Sequence, residues 1–298
     1  MIYFDNAYKW LYKCSFPDGV FPISYSINLL LSHLNTYPLA MASLIDTFVP
    51  SNVYNSLPLI SQVAEAPEDH ASDLRELRDL LSRHNVPKGV SVRLIHKHFD
   101  TTEGEVMVVD KTPVPGHGIV QIMKPVVPLE NNQLRGIHYF VNSDASFQAY
   151  EYGNYKIPDI TAFESFLAEF CTVATMRGLQ HKFGLKLQSE DNMAQTGWTE
   201  FELRTKRGTI MFPDGMPMPD GDSDYSVTTE WRAILNELPK RCKHYTTCSH
   251  GATKCAHCKH CNAHQSAYDS EPGFCLGGQK IMPGTSVYNI VDQIISAF

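Results

Sequence analysis

The side chains with the most chemistry to offer crowd into one short stretch. Six of the eight cysteines lie between Cys242 and Cys275, and five of the thirteen histidines lie between His244 and His264. The order is Cys242-Lys-His244, Cys248-Ser-His250, Cys255-Ala-His257-Cys258-Lys-His260-Cys261, then His264. Thiolate and imidazole are the donors that tetrahedral zinc prefers, and they must come in close pairs because each sits only ~2.0–2.3 Å from the ion. A Cys-x-His pair on extended chain turns both side chains to one face, and Cys-x-x-Cys folds back as a knuckle. The simplest partition makes two zinc sites: Cys242, His244, Cys248 and His250 in one, Cys255, Cys258, Cys261 and His264 in the other. Interleaved sets fit the same spacing.

Other chemistries explain less of the stretch. Disulfides suit small secreted scaffolds and would leave the interspersed histidines without a role. Cys255-Ala-His-Cys258 has dithiol redox spacing, but no strand–helix pattern surrounds it. A four-iron cluster on Cys255, Cys258, Cys261 and Cys275 lacks the companion Cys-Pro. Residues 240–275 hold few large apolar groups, and zinc, worth ~10–16 kcal/mol in comparable peptides, would replace a core there. Between Lys240 and His264 stand five Lys or Arg and no acid. That basic module offers an alternative role, contact with nucleic acid or a protein partner.

A second constellation lies in the body. His96-Lys-His98 follows the alternating run Val90-Ser-Val-Arg-Leu94, and His96, His98 and Asp100 share parity with Val92 and Leu94. Two histidines on one strand face, with Glu103 a few residues later and His138 or His117 from another strand, could ligate a metal or act as a general base. The arrangement resembles the first cupin motif, Gly-x5-His-x-His-x3-4-Glu-x6-Gly. It departs from that pattern where Gly89 lies one residue too far away and Asp110 replaces the closing glycine. The expected catalytic set is therefore His96, His98, Glu103 and His138, with a further metal at His96/His98. The run Asp220-Gly-Asp-Ser-Asp224 lacks the glycine and glutamate of a calcium loop, and no P-loop, His-Glu-x-x-His or Gly-x-Ser-x-Gly motif occurs.

The elements that must position these groups follow from periodicity. Residues 1–88 read as mainly helical, with Leu74, Leu77 and Leu81 striping one helix over Glu68–His84, and Ser51–Pro67 as a loop with at most one short helix. Residues 89–240 read as an antiparallel meander with packed helices. Its strands run from Val90, over Glu105–Asp110, Gly118–Val127, Leu134–Val141 and Phe147–Tyr152, with a turn at Thr101–Gly104. A helix capped by Thr161 and Glu164, a hairpin over Thr199–Thr205 and Thr209–Phe212, and a helix over Thr228–Leu238 complete it. The metal-binding segment takes 241–275, and 276–298 closes with an amphipathic helix whose stripe includes Val287, Ile290, Val291 and Ile294. The fold class expected is α+β with a zinc-stapled C-terminal segment.

Composition narrows the function. With 25 basic and 32 acidic residues the net charge is -7, which argues against a nucleic-acid binder over its whole surface. No apolar run reaches the ~18 residues of a membrane span, and no secretion signal opens the chain. These features predict a soluble, intracellular (cytoplasmic) zinc-binding metalloprotein whose body is an enzyme acting on a small molecule. The alternative is a non-catalytic binding or regulatory protein.

Overall fold

The computed structural model describes residues 43–114, 118–129, 133–189, 198–203, 207–213, 226–233, 242–245, 274–276, 279–281 and 283–296. The protein is mixed α+β, mostly strands in a curled sheet with a few helices around it. Thirteen strands are described: β1 (Leu44–Ile45), β2 (Val90–Leu94), β3 (Val106–Val114), β4 (Gly118–Val126), β5 (Arg135–Val141), β6 (Phe147–Gly153), β7 (Phe183–Leu187), β8 (Trp198–Leu203), β9 (Gly208–Pro213), β10 (Ser226–Trp231), β11 (Cys242–Tyr245), β12 (Phe274–Leu276) and β13 (Gln279–Ile281). The helices are α1 (Ser51–Asn55), α2 (Ile60–Val63), α3 (Ala66–Asp69), α4 (Ala71–Arg83), α5 (Glu164–Met176) and α6 (Ser286–Ser296). Among the described residues no helix is long and apolar enough to cross a membrane.

The large sheet runs β1-β6-β3-β4-β9-β8-β11-β10-β2-β7-β5, and β5 also pairs with β6. The pairings thus return to their start and close a ring, which leaves few open strand edges. The expected antiparallel meander is corrected: β6 is parallel to both β1 and β3, and β11 is parallel to β8. Nor do β2 and β3 form a hairpin, since β2 pairs with β7 and β10 while β3 pairs with β4 and β6. The turn between them exists, with the Glu105 N–H donating to the Thr102 carbonyl at 3.0 Å. By then, however, the chain has left β2, because Lys97 has joined Leu59 in an isolated bridge. The β8–β9 hairpin forms as its spacing predicts.

Strand parity sorts side chains between two faces. On the outside, Val90, Val92 and Leu94 of β2 join Leu74, Leu77, Leu80 and Leu81 of α4 with Phe166, Phe170 and Cys171 of α5 in one apolar cluster. A second outer cluster packs Val120, Ile122, Ile210 and Phe212 against Val287, Ile290, Val291 and Ile294 of α6. The third gathers alternate residues of the same strands, Met107, Val109, Met123, Trp198 and Met211, on the inner face. Each such side chain contributes ~1.5–3 kcal/mol on burial, so these clusters hold the ring closed. Gly184 lets β5 and β7 meet, because a Cβ there would lie 1.9 Å from the Tyr139 carbonyl oxygen.

Four helix expectations are corrected. The segment before Pro67 holds two short helices, α1 and α2, where at most one was expected, and the long one breaks at His70 into α3 and α4. Thr161 does not cap α5; its hydroxyl and N–H bind Asp159, and the helix starts after Phe163. Thr228 lies in strand β10 rather than in a helix: β-branched Val227, Thr228 and Thr229 suit a pleated strand, and Trp231 reaches the outer core from it.

Candidate metal centre

Past Leu94 the chain turns from strand to a tightly held loop. The Ile95 N–H donates to the Lys182 carbonyl and the Lys97 N–H to the Pro58 carbonyl, each at 2.8 Å. Lys97 Nζ then binds the Asn55 carbonyl at 2.5 Å and Asp100 at 2.7 Å. Asn55 at the end of α1 clamps Thr101 from both sides, with Nδ2 donating to its carbonyl and Oδ1 accepting its N–H. With Lys97 drawn towards α1, the alternation places His96 and His98 on the other side, 1% and 3% exposed.

The two imidazole rings lie 4.9 Å apart. His96 Nδ1–H donates to the Leu94 carbonyl at 2.8 Å, which fixes the tautomer and leaves the Nε2 lone pair for a ligand role. His98 Nδ1 stands 3.3 Å from Glu200 Oε1, and its backbone N–H donates to the Tyr54 hydroxyl at 3.4 Å. Glu200 comes from β8 and is fully buried. One donor atom from each of His96, His98 and Glu200 lies within 4.8 Å of the other two, so this buried group can hold a metal ion. Two imidazoles and a carboxylate suit zinc or a ferrous ion, and three protein ligands leave coordination positions for water or substrate.

Around the three donors the inner face is polar as well as buried. Arg93 reaches Glu200 Oε2 at 3.8 Å and donates to Thr229 Oγ1 at 3.1 Å. Glu151 accepts from the Tyr54 hydroxyl at 3.2 Å, is bonded through its other oxygen to His138 Nδ1, and lies 3.6 Å from His98 Nε2. Burial pushes the Glu151 carboxyl up to about 8 despite nearby Arg93. Burial likewise holds His138 well below the usual imidazole range. Lys186 and Glu230 form an ion pair at 2.7 Å, with Ser91 donating to Glu230 at 3.0 Å. Burial opposes ionisation of Glu230, yet Lys186 and Arg232 outweigh it and hold the carboxyl at about 2.

His96 and His98 lie together, but on the inner side rather than on the face of Val92 and Leu94 that shared parity predicts, because the chain leaves β2 after Leu94; nor does the carboxylate come from the expected place. Glu103 is exposed in the turn, as is Asp100, and neither joins the group. The Thr101–Gly104 turn lies past His98 and carries Glu103 to solvent, whereas β8, three strands from β2 around the ring, delivers Glu200. His138 is close, linked through Glu151, but stands outside the three-donor group. Arg93, Glu151 and Glu200 escape a reading by spacing because each lies on a different strand. The signal they leave is a charged residue within an apolar alternation, as in Val-Ser-Val-Arg-Leu and Phe-Gln-Ala-Tyr-Glu-Tyr. The proposed zinc ligands Cys248, His250, Cys255, Cys258, Cys261 and His264 lie outside the described residues, as do the side chains of Cys242 and His244 in β11. No family model, curated protein or solved structure matches the chain.

Proposed function

We propose that the protein is a soluble, intracellular metalloprotein whose body is an enzyme acting on a small molecule through a divalent ion held by His96, His98 and Glu200. The observation that supports this is the convergence of two histidines and a carboxylate on the inner face of the ring. A bound ion would acidify water or polarise a substrate oxygen. Glu151 and His138, hydrogen-bonded to each other beside His98, are placed to hold or move a proton. Tyr54 orients that pair through Glu151. The Cys/His segment would add two zinc ions as a staple without chemistry.

The test is metal content per chain for the full-length protein and for His96→Ala/His98→Ala, both confirmed folded by circular dichroism. One ion fewer in the variant is the expected result; equal content overturns the reading. A second reading is favoured by the five Lys or Arg and no acid between Lys240 and His264. In it the segment binds nucleic acid or a protein partner, and neutralising Lys243, Lys254 and Lys259 weakens a salt-dependent complex.

A further inference from the structure

We propose that the ion site takes a small carboxylate anion as its exchangeable ligand, with Arg93 receiving the carboxylate; this rests on the metal reading above. The argument is one of charge among groups buried away from water. Among the described residues the buried ionisable set holds two cations, Arg93 and Lys186, and three carboxyls, Glu151, Glu200 and Glu230. With every carboxyl ionised the set carries one negative charge, and with Glu151 protonated it is neutral. A divalent ion turns that balance into a surplus of one or two positive charges. Arg232 beside Glu230, or protonation of any histidine, only enlarges it.

Among the described buried residues the sign of the surplus therefore does not depend on which protonation state Glu151 adopts. Unbalanced charge away from water is strongly disfavoured, so the loaded site favours an anion over a neutral molecule. Lys186 is matched by Glu230 at 2.7 Å. Arg93 faces Glu200, whose charge an ion would share. A guanidinium is a planar fork that fits the two oxygens of a carboxylate, and Arg93 is held in place by Thr229 and flanked by the Tyr150 hydroxyl. The substrate class that follows is a small monocarboxylate.

The experiment titrates acetate, and separately its neutral isostere acetamide, into the metal-loaded full-length protein by calorimetry at constant ionic strength, with the His98→Ala variant alongside. Saturable binding of acetate alone, absent in His98→Ala, is expected. Arg93→Lys keeps the charge and loses the fork, and should weaken acetate by about tenfold. If His98→Ala loses one ion but wild-type protein binds neither probe, or both equally, the carboxylate proposal falls and the metal reading stands. If the variant loses no ion, both fall. Wild-type acetate affinity in folded Arg93→Lys removes Arg93 from the role.

Discussion

On β2, Val90, Val92 and Leu94 face the apolar layer under α4 and α5, whereas Ser91 and Arg93 face Glu230, Thr229 and Glu200. Both sets are buried, so water exposure does not explain why one is apolar and the other polar. Nor does stability, since buried ion pairs replaced by apolar side chains of similar volume often leave a protein as stable or more so. The outer face shows what this ring uses to hold itself together; the inner face spends that stability on fixed charges and imidazoles. A polar interior kept at such a cost supports the proposed metal site.

Mutation of the two faces should separate these roles. Phe170→Ala opens a cavity in the outer layer and is expected to cost ~3–5 kcal/mol in denaturant unfolding, without changing metal per folded chain. Lys186→Met on the inner face strands the Glu230 charge and should cost about 3 kcal/mol, tempered by Arg232. The double change Lys186→Met/Glu230→Leu should recover most of that loss, and failure to recover would erase the contrast between the faces.

A pH series sharpens it further. The Glu230 carboxyl titrates at about 2 when folded against an ordinary value of 4.5. A depressed folded value means its stabilisation is complete above pH ~4.5 and fades as pH falls towards 2, a change of about 2–3 kcal/mol. The stability difference between wild type and Glu230→Gln should accordingly shrink over that acid range; a difference independent of pH would show that Glu230 is not held ionised. The smallest effect belongs to Glu103, exposed in its turn: Glu103→Ala should change stability by less than ~0.5 kcal/mol and leave metal content intact.

How much of this was legible beforehand depends on sequence distance. The helices α4, α5 and α6 and the β8–β9 hairpin follow from periodicity within a single window, and His96-x-His98 follows from adjacency. Glu200 does not, because its place beside His98 is set by which strands neighbour each other around the ring. The same cause undid the meander: local alternation marks strands but is silent on whether β3 pairs with β2 or with β6. The β10 segment suits either element because Trp231 falls on both a helical and a strand period, and only its partners β2 and β11 decide between them.

The most direct measurement is anomalous diffraction at the absorption edge of the metal found in crystals of the full-length protein. The account predicts a peak inside the ring, ~2.0–2.2 Å from one nitrogen of His96, one of His98 and an oxygen of Glu200. Well-ordered His96, His98 and Glu200 with no peak between them, in protein whose metal all lies elsewhere, would contradict it.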